Sequence, residues 1–203
     1  MQDQPGGGSE TSNYRDRREL IKKVAVGGAV AWVVPSVIQF DQAFAVGSAC
    51  HNSILTDWDL VGGGQIVTFN GGATITNTIW KGNNIDVVAS TFAGTPPWSA
   101  GQHWVDLVGN NTAGNITTVF NLQCAQSRPV TVSFRFSKYV DAVPSTMTVK
   151  IGSSTFTPTV PTRTNSQVFS QTVTLPSGPS TISIAGTGTG NRGPAIGDIT
   201  ISW

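Results

Sequence analysis

The chain has 203 residues, which suits one domain, or one domain plus a targeting segment. Charged residues make up 11% of the sequence and the net charge is +1; beyond residue 45, seven basic side chains are balanced by six acidic ones without any basic cluster. This balance lacks the electrostatic signature of a nucleic-acid-binding protein, so we expect no nucleic-acid partner.

The first 45 residues differ sharply in composition from the rest. Residues 1–16 are polar and glycine-rich and are predicted to be disordered. Arg17 and Arg18 then precede an apolar run over residues 24–38, and residues 43–45 read Ala-Phe-Ala. A cationic start, a short apolar core and an A-x-A end are typical of a secretory signal peptide. The paired arginines resemble the bacterial twin-arginine export signature, although an aspartate stands where Ser or Thr usually precedes them.

We therefore predict a disordered N-terminus plus a twin-arginine signal peptide over residues 1–45 and one exported domain over residues 46–203. The alternative is that the N-terminal segment is an amphipathic helix of the mature domain. The apolar run is interrupted by Pro35 and is shorter than the roughly 20 residues that a membrane-spanning helix needs. After cleavage we expect no membrane attachment and a secreted or cell-surface location in a bacterium.

Short predicted strands follow one another beyond residue 53. In the segment 130–136 (VTVSFRF), apolar and polar side chains alternate, which is typical of an antiparallel sheet with one buried face. The predicted strands are Ile54–Leu60, Gln65–Asn70, Thr74–Trp80, Asn84–Ser90, 103–108, 115–122, 130–136, Ser145–Ile151, Gln167–Leu175, Thr181–Ala185 and Ile196–Trp203. About ten short strands at this spacing predict an all-β antiparallel sandwich or barrel.

Cys50 and Cys124 are the two cysteines of the chain, and both belong to the predicted exported part. Outside the cytoplasm an even number of cysteines favours a disulfide, here between the start of the first strand and the loop before residues 130–136. The alternative is two unpaired thiols. A two-cysteine metal site is disfavoured because no C-x-x-C spacing exists.

Four segments resemble the DUF642 family and the related galactose-binding-like jelly rolls of secreted proteins. They are residues 77–88 (NTIWKGNNIDVV), 97–110 (PWSAGQHWVDLVGN), 130–136 (VTVSFRF) and 193–201 (GPAIGDITI). Two motifs depart from the family pattern: its closing Asp-Asp is Gly197-Asp198 here, and its first-strand Asn-Gly-x-Phe-Glu appears only as residues 56–59, Thr-Asp-Trp-Asp. The resemblance implies a jelly-roll sandwich that binds carbohydrate, often cell-wall polysaccharide, without catalysing a reaction.

The same resemblance implies a structural calcium ion held between the sheets by an acidic residue of the first strand and another of the last. Asp59 and Asp198 are the matching positions. Calcium takes six to eight oxygen ligands, which two carboxylates and backbone carbonyls can supply. The alternative is that both aspartates are ordinary turn or cap residues.

Sugar recognition usually combines a flat aromatic ring, which covers the apolar face of a pyranose, with hydrogen-bonding side chains. Trp98 is the best aromatic candidate because it follows two prolines in a loop. The predicted ligand-binding residues are Trp98, His103, Asn110, Asn83 and Trp80. For the tryptophans the alternative is core packing. For the asparagines it is turn geometry, since asparagine tolerates positive φ.

Catalytic motifs are scarce. Residues 97–101 lack the first glycine of the G-x-S-x-G motif, and two isolated histidines do not make a zinc site. Asp86 and Asp106 could serve as a glycosidase pair, although for Asp106 we favour a structural role in which backbone N–H groups of a loop bind its carboxylate.

Our hypothesis is therefore a non-catalytic domain whose partner is a polysaccharide or cell-wall glycan. One alternative is a structural or adhesive surface protein that binds another protein and has no sugar site. A second alternative is a small glycan-acting hydrolase.

Overall fold

Thirteen strands make up most of the part of the chain that the computed structural model describes, namely residues 50, 52–61, 65–92, 95–99, 101–109, 112–188, 190 and 192–203. The strands are β1 (Ser53–Thr56), β2 (Ile66–Phe69), β3 (Ala73–Thr74), β4 (Lys81–Asn83), β5 (Ile85–Val88), β6 (Trp104–Asp106), β7 (Gly114–Leu122), β8 (Arg128–Lys138), β9 (Thr146–Ile151), β10 (Ser154–Phe156), β11 (Gln167–Leu175), β12 (Gly178–Thr187) and β13 (Pro194–Ser202). Short 3-10 helices span Trp58–Val61 and Pro97–Ser99.

The described residues belong to one compact unit, Gln42–Trp203. The predicted disordered N-terminus and signal peptide, over residues 1–45, lie outside the described residues. No helix within the described part is long and apolar enough to cross a membrane.

The described strands form two antiparallel sheets. The seven-stranded sheet has the order β11-β8-β13-β6-β5-β2, with β1 also paired to β13. The six-stranded sheet has the order β10-β9-β12-β7-β4-β3. The long strands β7, β8, β9, β11, β12 and β13 alternate between the two sheets along the chain, as they do in a jelly roll. The prediction of an all-β antiparallel sandwich of the jelly-roll type is confirmed.

The main core lies between the two sheets, and the period-two pattern determines which side chains enter it. The apolar residues of β8 at positions 130, 132, 134 and 136 are all at most 3% exposed. Trp58 and Trp80 are fully buried in the same core. The Trp80 indole N–H donates a hydrogen bond to Thr56 Oγ1 at 2.9 Å, so the polar atom of this buried ring is satisfied.

Two predicted strands are wrong in part. Residues 75–80, predicted as strand, form a turn in which the Ile75 N–H donates to the Trp80 carbonyl and Asn77 has a φ of 57°. That left-handed residue reverses the chain and prevents an extended segment. The first strand ends at Thr56, because residues 58–61 turn into a 3-10 helix. The short strands β4 and β10 were not predicted.

The predicted disulfide between Cys50 and Cys124 is confirmed, with a Cα–Cα distance of 5.9 Å. It joins the segment just before β1 to the turn between β7 and β8, and the two cysteines are 74 residues apart in the sequence. In the chain-entropy picture, a loop of this length stabilises the fold by roughly 4 kcal/mol.

Candidate functional site

A second apolar cluster lies on the outer face of the seven-stranded sheet. Val105 belongs to the main core, so its neighbours on β6, Trp104 and Asp106, face the opposite way. The buried members of this outer cluster are Val88, Trp104 and Ala195. Three partly buried aromatic residues pack against them, and we call these three the aromatic cap: Phe92, Trp98 and Tyr139.

Trp98 is held in one orientation by its surroundings. It lies in the 3-10 helix Pro97–Ser99, and its indole N–H donates a hydrogen bond to Ser137 Oγ at 2.7 Å. Its ring packs directly on β13 at Gly197, where an added Cβ would lie 2.9 Å from the ring. The ring is nevertheless only partly buried. Trp98 is therefore an oriented aromatic surface that remains accessible in part to solvent.

Beneath the cap, a buried donor is left without a partner. Trp104 is fully buried and its ring lies 4.9 Å from that of Tyr139. Within the described residues, neither Trp104 Nε1 nor the buried Nε of Arg163 has a hydrogen-bond acceptor. Leaving a buried donor unpaired costs about 1–3 kcal/mol. An acceptor oxygen from water or from a bound molecule would remove this cost.

His103 and Asp59 form a pair at the start of β6. Asp59 Oδ1 accepts a hydrogen bond from the His103 backbone N–H at 2.6 Å and lies 2.5 Å from the ring Nδ1. Burial acts to raise the pKa of Asp59, but the hydrogen bonds and charge of His103 outweigh it and lower that pKa. Because an ionised carboxylate only accepts, Nδ1 carries the proton and the other ring nitrogen is not used in this pair. The pair fixes the orientation of a partly exposed imidazole.

The predicted calcium ligands, Asp59 and Asp198, each accept hydrogen bonds within the fold. Asp59 Oδ1 is engaged by His103, and Asp198 Oδ1 accepts from the Trp58 N–H at 3.2 Å. Burial raises the pKa of Asp198, and the charges of Asp57 and Asp59 add to this effect. Within the described residues, no group of three or more His, Cys, Asp or Glu side chains is arranged to hold a metal. A calcium ion held by Asp59 and Asp198 stays a prediction.

Asp86 and Asp106 lie directly opposite each other on β5 and β6, on the same outer face as the cap. Asp106 is 2% exposed, and its Oδ1 accepts hydrogen bonds at 3.0 Å from the backbone N–H groups of Val108 and Gly193. This confirms the structural role predicted for its carboxylate. Asp86 Oδ1 accepts a hydrogen bond from the Thr68 hydroxyl at 2.6 Å.

Burial raises the pKa of Asp106 to about 8, with a further contribution from the charge of Asp86 that the two backbone hydrogen bonds oppose. Burial also raises the pKa of Asp86, against the hydrogen bond from Thr68. At neutral pH the pair therefore favours a state with a proton on Asp106.

Both signs of charge lie near the cap. Burial raises the pKa of Tyr139, and the charge of Asp106 adds to this, while Arg192 and Arg163 act in the opposite direction. Arg163 also donates through its guanidinium to the Thr95 carbonyl at 2.8 Å, which ties the start of the loop 95–103 to the segment before β11. The cap is thus an apolar surface bordered by hydrogen-bond donors and acceptors.

The other predicted ligand-binding residues do not join Trp98 and His103. Trp80 is 0% exposed, and its indole N–H donates a hydrogen bond to the Thr56 hydroxyl within the core. A buried ring of this kind cannot stack on a ligand, which corrects the prediction for Trp80. Asn83 belongs to β4 of the other sheet, where its Oδ1 accepts from the Gly71 N–H at 3.0 Å. Asn110 lies outside the described residues. Of the predicted set, Trp98 and His103 share the loop 95–103.

Sequence reasoning missed two members of the cap. Tyr139 continues the outward-facing series of Arg135 and Ser137, so extending the alternation of β8 by one step would have placed it on this face. Phe92 follows β5 in a turn in which its N–H donates to the Ala89 carbonyl. No periodic signal in the sequence indicates where a turn residue of this kind packs.

Solved structures with a similar fold include carbohydrate-binding modules. A family 35 module from Clostridium thermocellum is 15% identical, with 68% of this chain and 98% of that chain covered and a TM-score of 0.43. The C-terminal family 6 module of a marine laminarinase from Zobellia galactanivorans is 13% identical, with 75% and 100% covered and a TM-score of 0.44. A family 35 module from Paenibacillus barcinonensis is 18% identical, with 68% and 98% covered and a TM-score of 0.39. Similarity at this level assigns neither a family nor a ligand.

No protein-family profile and no curated protein matches the chain.

Proposed function

We propose that residues 46–203 form an exported, non-catalytic domain that binds carbohydrate at the aromatic cap. The observation that carries this proposal is the state of Trp98, whose ring is partly accessible yet fixed by Ser137 and Gly197. A ring that is already oriented loses little side-chain entropy when a ligand covers it. Aromatic rings also supply a large contact area for the apolar C–H face of a pyranose.

The polar groups around the cap suit the hydroxyl groups of a sugar, which both donate and accept hydrogen bonds. The imidazole of His103 is oriented by Asp59 and lies in the same short loop as Trp98. The fully buried Trp104 N–H has no acceptor within the described residues and is a donor for a water that bridges to a ligand oxygen. An apolar surface with a few oriented polar groups is the general pattern of a small-molecule site.

The arrangement of the carboxyl pair supports a function without catalysis. A glycosidase needs two carboxyl groups that reach the same glycosidic bond from a cleft. Asp106 is 2% exposed and its Oδ1 is already bound by two backbone N–H groups, so it serves to hold two loops together. Asp86 is 8% exposed and bonded to Thr68.

Export rests on the sequence of the first 45 residues and is supported by the disulfide. A bridge between Cys50 and Cys124 is typical of proteins that work in an oxidising compartment. We propose the twin-arginine route from the paired arginines and a DUF642-like origin from the four matching segments. Detection of a mature N-terminus at Val46 in the extracellular fraction would test the first part; retention of the intact chain in the cytoplasm would contradict it.

The test of binding is a screen of insoluble polysaccharides and a glycan array with the wild-type protein and two variants. We expect Trp98→Ala to weaken binding by about tenfold or more, which corresponds to about 1.4 kcal/mol. The matched control is Val119→Ala on the other sheet, a residue that is 67% exposed and remote from the cap in the strand order. Equal binding by wild type and Trp98→Ala would contradict the assignment of the cap.

The hydrolase alternative is tested in the same samples by measuring released reducing sugar. We expect none above the level of Asp86→Asn and Asp106→Asn variants. Release by the wild-type protein that both substitutions abolish would overturn the non-catalytic assignment.

A further inference from the structure

The edge of the seven-stranded sheet formed by β11 is long and lacks the usual protection. Within the described residues β11 pairs only with β8, over nine consecutive positions from Gln167 to Leu175 without a register shift. Backbone N–H and C=O groups that point away from β8 therefore lie along a free edge. The other strands at the ends of the two sheet orders, β2, β10 and β3, have four, three and two residues.

Natural edge strands usually carry charges, proline or bulges that discourage pairing with another chain. β11 has the sequence QVFSQTVTL, which contains none of the charged residues and no proline, and its pairing with β8 shows no bulge. Val168 is 62% exposed on this strand. The nearly neutral net charge of the chain adds little long-range repulsion between copies.

The sequence of β11 matches itself in the antiparallel direction. If a twofold axis passes Gln171, each residue faces a partner on the same side of the sheet, and the five central positions face residues of similar chemistry. The central pairs are Phe169 with Val173, Ser170 with Thr172, and Gln171 with its own copy; the outer pairs are Val168 with Thr174 and Gln167 with Leu175. Phe169, Gln171 and Val173 lie on the core side, and the hydroxyl pair of Ser170 and Thr172 lies on the outer side. A hydroxyl pair of this kind already exists between Thr131 and Thr172, whose oxygens lie 2.8 Å apart.

We infer that two copies of this chain associate through antiparallel pairing of β11 with β11, which joins their seven-stranded sheets into one continuous sheet. The occupant is a second copy because the register centred on Gln171 pairs the five central residues of β11 with residues of similar chemistry. This association is independent of carbohydrate binding, because the aromatic cap packs on β5, β6 and β13 rather than on β11.

Cysteine cross-linking tests the contact and its register. Gln171→Cys places two thiols directly opposite each other across the twofold axis, where Cβ atoms of facing residues are about 4.5–5.5 Å apart, close to disulfide range. Both native cysteines are already paired, so the new thiol is the reactive one in the described part of the chain. The matched control is Val119→Cys, which is 67% exposed on the six-stranded sheet.

We expect mild oxidation to convert Gln171→Cys to a covalent dimer at least tenfold faster than Val119→Cys. Equal rates for the two variants would overturn the inference.

A charge variant provides a second measurement, made on the full chain without cross-linking. Gln171→Lys brings two ammonium groups together at the twofold axis, whereas Val119→Lys adds the same charge elsewhere. In sedimentation equilibrium we expect a concentration-dependent dimer for the wild type and Val119→Lys, and at least a tenfold larger dissociation constant for Gln171→Lys. A wild type that stays monomeric at every concentration, or a dimer whose affinity Gln171→Lys leaves unchanged, contradicts the proposal.

Discussion

Asp106 illustrates at the scale of one residue how a polar group is accommodated beneath the surface of this domain. Its carboxyl group accepts two backbone hydrogen bonds, which hold the segments at Val108 and Gly193 against β6. The same burial, with Asp86 opposite, raises its pKa to about 8. The group therefore stabilises the loops through hydrogen bonds while its ionisation opposes folding.

The consequence is a pH dependence with a defined sign. The folded pKa of Asp106 lies above its ordinary value of 3.8, so the stability associated with its neutral form is complete below about pH 4 and is lost as the pH rises through about 8. Asp106→Asn keeps an acceptor oxygen for both N–H groups but cannot ionise. We expect it to unfold like the wild type at pH 4 and to be more stable by about 2–5 kcal/mol at pH 8. Urea unfolding of both proteins at the two pH values measures this.

The control for that prediction is Asp141→Asn, which removes one negative charge from an exposed carboxylate whose Oδ1 accepts from the Arg163 N–H. We expect it to lack the stabilisation at pH 8. Parallel pH profiles for wild type and Asp106→Asn would show that the carboxyl group does not ionise within this range.

The sequence predicted the exposure of Trp98 correctly but not that of Trp80. Trp98 was predicted to lie in an accessible loop because two prolines precede it, and it does remain partly exposed. Trp80 was predicted as a ligand-stacking ring and lies in the core, because its indole N–H finds an acceptor in Thr56, 24 residues away. Such a partner is created by the tertiary fold, so no local pattern around Trp80 indicates it.

At the scale of elements, the loop 95–103 is held against β13 through the absence of a side chain at Gly197. A Cβ atom added to Gly197 would lie 2.9 Å from the Trp98 ring. The carbonyl of Gly197 also accepts a hydrogen bond at 2.8 Å from the indole N–H of Trp58. The glycine at this position therefore admits the Trp98 ring against β13.

Gly197→Ala tests this contact. The added methyl group must displace the Trp98 ring or the strand, because contacts shorter than 3.0 Å are not tolerated. Overpacking of this kind costs about 1–3 kcal/mol, and we expect glycan affinity to fall together with stability. Thermal unfolding measures the change in stability, and the polysaccharide screen measures the change in affinity. The control is Ala185→Ser in β12 of the other sheet. Gly101→Ala is unsuitable as a control because Gly101 has a φ of 85°, at which an alanine is strained.

An unchanged melting temperature and unchanged binding in Gly197→Ala would show that the Trp98 ring does not rest on β13.

Strands with strict alternation were predicted with nearly correct limits, and turns were not. β8 and β9 follow the predicted segments closely because one face of each is buried along most of its length. β11 matches its predicted limits, although only Phe169 and Leu175 are buried on its inward face. The segment 74–80 has the composition of a strand, yet the left-handed Asn77 and the bond from Ile75 to Trp80 close it into a turn. The candidate site depends on such turns, so the sequence indicated Trp98 and His103 but neither Phe92 nor the pairing of His103 with Asp59.

At the scale of the whole molecule, the two faces of the seven-stranded sheet have different roles. The inner face forms the main core with the six-stranded sheet. The outer face near β5, β6 and β13 carries the aromatic cap and the carboxyl pair. The outer surface near β8 and β11 is rich in threonine and serine, and its free edge is where we infer self-association. Ligand binding and association would then use separate regions of one sheet.

The most direct test of carbohydrate binding at the cap is a titration of the isotope-labelled protein with an oligosaccharide from the polysaccharide that it retains, observed through the tryptophan indole N–H signals. We expect the signals of Trp98 and Trp104 to shift with the ligand, since Trp98 borders the site and the Trp104 N–H beneath it has no acceptor within the described residues. We expect the signals of Trp58 and Trp80 to stay unchanged, because both donate to acceptors within the fold. Saturable binding that leaves Trp98 and Trp104 unshifted, or retention of no polysaccharide at all, would contradict the central claim.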